Sequence, residues 1–380
     1  MEYTNEPAFI NRKQEMRFLS NWVAERPKSL LFIYGPKSSG KTTLLYRFLK
    51  DNLDNHTYAI KHFNLREILI TRYQDFIRAF FEHDYTKEKG DVRERREYNL
   101  QVFKLSVEIL KGLDANELDP FVVMKRELAK LNDRGQRPII IIDELQALEG
   151  IYMNGQRELL KELFNFFVAM TKESHLCHVL IASSDGYFIE RIYNDSKLKK
   201  TSEFLEVDYL SKEDVVSWLT NLGKESAIRQ YTLKPEQIEG IWETFGGSCA
   251  EISRLLGDLL MGANDGRVPD TVFEKAVHRK RIQMRSLFVD YASLYKDKRA
   301  LFKTMNIVVH TRQCFREDAL ASLVDDGIYT VDGLRNELGN LVRQNFLAYN
   351  PVTAEFSLQG RSMEIGLAAF VDLMAGNDSQ

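Results

Sequence analysis

Cysteine is scarce: Cys177, Cys249 and Cys314 are the only three in 380 residues, far apart and odd in number. That argues against a disulfide framework and against a zinc site, and suits a reducing compartment. No stretch approaches the roughly 18 consecutive apolar residues that a membrane span needs. The opening MEYTNEPAFINRKQEM is polar and lacks an apolar leader core, so a cytoplasmic protein is expected. Eight prolines and 21 glycines are too few for a fibrous or disordered chain. Neither sign of charge dominates: 52 Lys and Arg face 55 Asp and Glu, a formal net charge of -3. Nothing global therefore draws the chain to nucleic acid or to anionic membrane, and such a partner would need a local basic patch.

What is present is material for packed cores, with 44% hydrophobic and 11% aromatic residues, in a chain long enough for two or three domains. SLLFIYG, residues 29–35, is a short apolar run ended by glycine, the pattern of a strand buried on both faces. TTLLYRFLKDNL follows with helical spacing. Between them Gly35, Pro36, Lys37, Ser38, Ser39, Gly40, Lys41 and Thr42 complete G-x-x-x-x-G-K-[ST] in the strand–loop–helix setting it requires, with Thr43 next in line. The glycines let several N–H groups turn inward, and the helix start adds its positive end at the same point. The chemistry this pattern serves is phosphate binding, with Lys41 reaching the β and γ phosphates of a nucleotide and the Thr42 hydroxyl meeting Mg2+.

Hydrolysis needs carboxylates as well. RPIIIIDELQAL, residues 137–148, places Asp143 and Glu144 at the C-terminal tip of a run of four isoleucines, where ligands sit in open α/β sheets. Asp143 is the candidate for holding Mg2+ through water, and Glu144 for orienting and deprotonating the attacking water. The alternative makes Glu144 a helix-start residue favoured by the dipole. HVLIASSD, 178–185, ends in Ser183, Ser184 and Asp185; Ser184 is a candidate for touching the γ phosphate or the water, though serines also form plain turns. Strands are expected near 29–34, 57–63, 138–142, 178–183 and 203–208, joined by helices into a parallel sheet. Because the carboxylates stand on the third strand in sequence, another strand is expected to lie between them and the phosphate loop.

On these stretches, together with PAFINRKQEMRFL at 7–19 and SKLKKTSEFLEVDYLSKEDVVSWL at 196–219, the chain resembles the archaeal-type ATPases of the STAND class, relatives of AAA+ proteins. The resemblance spans roughly residues 7–260. It implies ATP as the nucleotide and places Phe9, Ile10 and Arg12 against its base and sugar; the residues alone would make Arg12 a solvated surface charge. Two departures stand out. Gly246-Gly247-Ser248-Cys249 puts cysteine where the family's lid has proline, and Lys199-Lys200-Thr201 replaces a Gly-Arg pair, which implies slower hydrolysis.

The segment 82–98, with 11 charged residues of 17, reads as a solvated helix or a mobile surface loop. Residues 209–262 read as a small helical lid that Ser211 begins, with Asp214 three positions on. The helix 271–288 carries Lys275, Arg279, Lys280, Arg281 and Arg285 and reads first as a solvated linker. From 297 to 375 three helices precede a hairpin at Asn350-Pro351, the order of a winged helix, with Asp332 expected to cap the third helix. Eight Lys and Arg against ten Asp and Glu across 297–375 favour an intramolecular or protein-contacting role over DNA.

The expectation is thus an α/β P-loop NTPase core of the additional-strand type over 1–208, a lid with its basic linker helix over 209–288, and a winged helix over 289–380. The expected function is a Mg2+-dependent, ATP-hydrolysing switch. Its expected partners are ATP and either a protein or a second copy of the chain, with no membrane. A DNA-binding ATPase of origin-recognition type and a scaffold that scarcely hydrolyses are the alternatives.

Overall fold

The computed structural model describes residues 8–54, 56–65, 69–80, 113, 119–153, 156–195, 198, 200–226 and 228–377. The charged segment 82–98 and Lys199 lie outside these residues. The core is a five-stranded parallel sheet in the order β2-β3-β6-β1-β7. Its strands are β1 (Leu30–Tyr34), β2 (Tyr58–Asn64), β3 (Arg137–Asp143), β6 (His178–Ala182) and β7 (Ser202–Glu206). The strand expected between the carboxylates and the phosphate loop is β6, whose Ala182 is in register with both Asp143 on β3 and Ile33 on β1.

The isoleucine run behaves as a strand because its side chains alternate between two dry layers. Ile140 and Ile142 enter one core with Phe32, Val179 and Ile181. That core is covered by α4 (Pro120–Asp133) and α5 (Leu159–Val168), while α3 (Tyr73–Phe80) adds Phe76 and Phe80. Ile139 and Ile141 enter the other with Leu31, Ile33 and Leu180, beneath α1 (Lys13–Ala24) and α2 (Lys41–Asn52). Each such side chain, fully buried, contributes about 1.5–3 kcal/mol. A small hairpin, β4 (Tyr152–Met153) with β5 (Arg157–Glu158), precedes α5, and α6 (Gly186–Asp195) follows β6.

A third core gathers Trp218, Ile238, Ile241, Phe245, Leu255 and Leu256 from α7 (Lys212–Thr220), α8 (Pro235–Phe245) and α9 (Cys249–Leu260). The Ser211 side chain accepts from the Asp214 backbone N–H at 3.2 Å and starts α7, as its position implies. The basic linker is α10 (Asp270–Ala292), a continuous helix of 23 residues. Phe273 and Val277 belong to the lid core; Met284, Phe288 and Ala292 belong to the next. The expected division after residue 288 therefore falls within a helix that two cores share. Lys280 on this helix is mostly covered, paired with Glu251 of α9 at 2.8 Å.

The fourth core is the winged helix: α11 (Lys296–Thr311), β8 (Cys314–Phe315), α12 (Val331–Arg343), β9 (Leu347–Asn350) and β10 (Glu355–Leu358), with sheet order β8-β10-β9. Thr330, not Asp332, caps α12: its hydroxyl accepts from the Gly333 backbone N–H at 3.0 Å. Asp332 already lies inside the first turn, where a side chain no longer reaches the orphan donors. A last helix, α13 (Arg361–Asn377), runs back along α10; a Cβ on its Gly366 would lie 2.8 Å from that of Met284, so the two backbones are in contact there.

Candidate functional site

The phosphate loop joins β1 to α2 and is held in shape by three left-handed residues, Gly35 (φ 146°), Ser38 (φ 65°) and Gly40 (φ 98°). At Gly35 a side chain is excluded outright, because a Cβ would meet the Val207 carbonyl oxygen at 2.2 Å. Lys41, at the start of α2, is buried and donates to the carbonyls of Gly35 at 2.9 Å and Pro36 at 2.8 Å. Next to it the Thr42 hydroxyl donates to Asp143 Oδ2 at 3.0 Å across 101 residues of sequence. The two residues assigned to Mg2+ are thus side by side. The intervening strand β6 ends at Ala182, level with Asp143 on one side and Ile33 on the other.

Glu144 follows Asp143 in a left-handed conformation (φ 63°), which a non-glycine residue adopts at a cost of roughly 1 kcal/mol or more. This turns its carboxylate into the same cavity. A short 3-10 turn, Leu145–Leu148, begins directly after it, and Gln146 in that turn donates its amide to Glu144. Ser184 lines the cavity, and its neighbour Ser183 is buried beneath, bonded to Gln146 at 3.0 Å.

Arg12 is not a solvated charge. Its side chain is 11% exposed, pairs with Glu15, and donates to the Ser39 carbonyl at 2.8 Å and the Asp208 carbonyl at 2.7 Å. It staples the N-terminal segment to the phosphate loop and to the end of β7. Phe9 lies under the Arg47 guanidinium, 5.7 Å from ring centre to charge, and Ile10 is buried in the lid core.

The cavity is about 610 Å3, bounded by Phe9, Ile10, Arg12, Lys37, Ser38, Ser39, Gly40, Lys41, Thr42, Thr43, Glu144 and Ser184. Gly35, Pro36 and Asp143 do not line it; Lys41 is bonded to the carbonyls of the first two and Thr42 to the carboxylate of the third. The far wall comes from the lid: Trp218, Ser226, Ile228, Cys249, Ser253, Leu256 and Leu260. None of these was legible as a site residue. Cys249 is the one whose neighbourhood gave a signal, since it follows the double glycine. Burial pushes its thiol above the usual range, with the Arg12 charge opposing, so it faces the cavity as a neutral, small group. Asp185, behind Ser184, is also held above the usual carboxylate range by burial.

The residues fit a nucleotide. The Ser39 hydroxyl oxygen is fully buried in the loop with no hydrogen-bond partner among the described residues, an orphan that a phosphate oxygen would satisfy. A helix start, a lysine and inward N–H groups surround it. The donors near Asp143 and Thr42 are oxygens only, which fits Mg2+ completed by phosphate and water rather than a soft metal. Among the described residues no group of three His, Cys, Asp or Glu could cage a metal on its own.

Such a loop, acidic strand tip and sheet order define a P-loop nucleotide-binding protein. The family described as an ATPase domain predominantly from Archaea matches residues 9–255, and this chain belongs to it. An ATP-binding protein of Methanocaldococcus jannaschii is 32% identical over 314 residues, covering 78% of this chain and 81% of its own. A second from the same organism is 38% identical over 218 residues, 57% of this chain and 63% of its own length. The chain spans under two thirds of that relative and of two others, at 64% and 65% of their lengths. Both names record ATP binding and leave the activity uncharacterized. Among solved structures, the Walker-type ATPase of Pyrococcus abyssi shares the fold with TM-score 0.63 and 17% identity, covering 96% of this chain and 97% of that one. The ORC2 protein of Aeropyrum pernix, solved as ADPNP-ADP complexes, does so with TM-score 0.56 and 14% identity over 100% and 97%. Among the described residues no helix is long and apolar enough to cross a membrane.

Proposed function

We propose that this protein is a Mg2+-dependent ATPase that works as a switch, with the nucleotide bridging the phosphate loop and the lid. The observation that carries the reading is the contact between Thr42 and Asp143 at 3.0 Å, with Glu144 on the same cavity wall as Lys41. Phe9, Ile10 and Arg12 bound the base and sugar, and the loop from Gly35 to Thr43 wraps the phosphates. On binding, Lys41 exchanges the carbonyls of Gly35 and Pro36 for β and γ phosphate oxygens. Thr42 and Asp143 would hold Mg2+, which supplies neutralising charge on the phosphates when bound. Glu144 takes a proton from the water as its oxygen bonds to the γ phosphorus and the bond to the β–γ bridging oxygen breaks, leaving ADP and inorganic phosphate. Ser184 lies where it can contact the γ phosphate and report its loss.

The winged helix is the responding part. Its hairpin turn is bonded to the sheet's C-terminal edge, where Asn350 Nδ2 donates to Glu206 at 3.1 Å and the Tyr34 hydroxyl reaches both Glu206 and Asn350. Tyr34 immediately precedes the phosphate loop. On α12, the helix that would enter a DNA groove, a Cβ on Gly339 would lie 3.1 Å from the Tyr187 ring of the core. That occupied face favours the intramolecular role over the DNA-binding alternative. Glu144→Gln should retain ATP binding in a fluorescent-nucleotide titration and lose phosphate release by about 100-fold or more. Unchanged turnover removes Glu144 from the mechanism, and a wild-type protein that binds ATP without releasing phosphate establishes the scaffold reading instead.

A further inference from the structure

The hydrolytic reading leaves Gln146 unused, yet its side chain is wedged between the two segments that would flank the γ phosphate. Its amide N–H donates to Glu144 Oε2, and its amide oxygen accepts from the Ser183 hydroxyl at 3.0 Å. Ser183 in turn accepts from the Asp185 backbone N–H at 3.0 Å. These polarities fix one another. A carboxylate oxygen can only accept, so the Gln146 NH2 faces Glu144 and its amide oxygen faces Ser183. Ser183 must then point its own hydrogen at Gln146, leaving a lone pair for the Asp185 backbone N–H. Ser183 is fully buried, so the chain is anchored at its far end. Glu144 itself sits on a left-handed backbone that needs its surroundings to hold it.

We infer that Gln146 is a positioning residue for the hydrolysis, holding Glu144 toward the attacking water and tying it to the β6 tip that carries Ser184. This rests on the reading of Glu144 as general base. The tie has a direction of consequence: α6 begins at Gly186, one residue past Asp185, and Tyr187 there stacks edge-on with Tyr349 of the winged helix at 5.3 Å. Displacing the wing therefore pulls on the segment that orients the glutamate. Gln146 is how the partner domain's position reaches the chemistry.

The test uses the full chain and steady-state phosphate release over a range of Mg-ATP concentrations. Gln146→Ala should lower kcat by about 10- to 100-fold, the size expected for losing one hydrogen bond to a charged group that sets reactive geometry, with KM held within about 3-fold. Gln146→Glu keeps size and shape but replaces the donor with a like charge, and should lose at least as much while melting within a few degrees of wild type. In a Glu144→Gln background, Gln146→Ala should cost less than about 2-fold more, because its target is gone. The inference is overturned if Gln146→Ala and Gln146→Glu keep kcat within 2-fold of wild type while Glu144→Gln loses it, an outcome that leaves the hydrolytic reading standing. It is also overturned if the loss is the same in the Glu144→Gln background, or if kcat falls only together with melting temperature. Full turnover in Glu144→Gln alone fells the hydrolytic reading first. Should Gln146→Ala not fold, the isosteric Gln146→Glu carries the comparison.

Discussion

Gly186→Ala drives one carbon between the ATPase core and the winged helix. Gly186 opens α6 with an ordinary helical backbone, so alanine would by itself favour the helix by about 0.5–1 kcal/mol. The space is the difficulty: the new Cβ would lie 1.9 Å from the Tyr349 carbonyl oxygen and 3.3 Å from Pro351 Cδ. Tyr349 belongs to β9, so no flexible tip can swing aside; the hairpin must retreat by about 1 Å merely to reach the shortest separation, 3.0 Å, that a Cβ tolerates. A shift of that size breaks the bond that Asn350 donates to Glu206 and the one it accepts from the Tyr34 hydroxyl, now 3.1 and 3.3 Å. Overpacking of this kind costs about 1–3 kcal/mol, and each lost hydrogen bond about 1 kcal/mol. The contact loses roughly 2–4 kcal/mol net of the helix gain. Because the winged helix has its own core around Phe288, Phe302 and Phe346, it should undock rather than unfold. Small-angle scattering should show a larger radius of gyration, and calorimetry should split one transition into two. Gly376→Ala in α13 is the control, since nothing lies within 4 Å of its Cβ position. Scattering and melting profiles that match wild type in Gly186→Ala would refute the contact.

Three further outcomes follow from single residues. Arg12→Ala removes charge-assisted bonds to the Ser39 and Asp208 carbonyls, and ATP affinity by fluorescence titration should fall about 10-fold or more, with Arg12→Lys recovering only part because a lone ammonium in place of Nη2 gives up the Nη1 bond to Glu15 that fixes the fork. Thr330→Ala removes the cap on α12 and should lower global stability by about 1 kcal/mol in a urea titration, whereas Asp332→Ala should change little. Burial against Trp22 pushes His178 down to about 4, so the folded chain keeps it neutral where the unfolded chain takes up a proton near 6.5. The unfolded state therefore gains protons first as the pH drops, and stability is lost between about pH 6.5 and 4 while the region above is flat, by up to roughly 3 kcal/mol. His178→Leu should flatten that acid limb in melting curves at pH 7.5 and 5; an unchanged slope would assign acid sensitivity elsewhere.

The parts of the site that were legible are those whose geometry is local. The loop from Gly35 to Thr42 carries its own turn, and a run of four isoleucines ending in Asp143-Glu144 can only be a strand with acid at its tip. Counting strands gave the parallel sheet and the one strand between the carboxylates and the phosphate loop; the full order β2-β3-β6-β1-β7 came from the structure. Arg12 was not legible from its neighbours, because what makes it buried is the meeting of Ser39 with Asp208, 169 residues apart. Thr330 and Asp332 are both competent caps, and only the point at which the chain turns helical selects between them. The helix α13 was not assigned from the sequence, although Met363, Leu367, Phe370 and Met374 recur at helical spacing and are buried in the winged-helix core; Gly366 is what lets it lie against α10.

The same reason explains why the lid wall and Gln146 were missed, and it bears on how the molecule works. Trp218, Cys249 and Ser253 reach the cavity through the lid's own packing, and Gln146 acquires its orientation only from Ser183, which arrives on a different strand. Groups placed by long-range packing are also the groups that move when that packing shifts. The phosphate loop, built from adjacent residues, can hold its shape whatever the winged helix does. Glu144 cannot, since its left-handed backbone and its amide partner are both set from outside the β3 segment. On the reading of Glu144 as general base, binding and turnover are separable in this fold: loosening the wing should leave ATP affinity largely intact while hydrolysis falls.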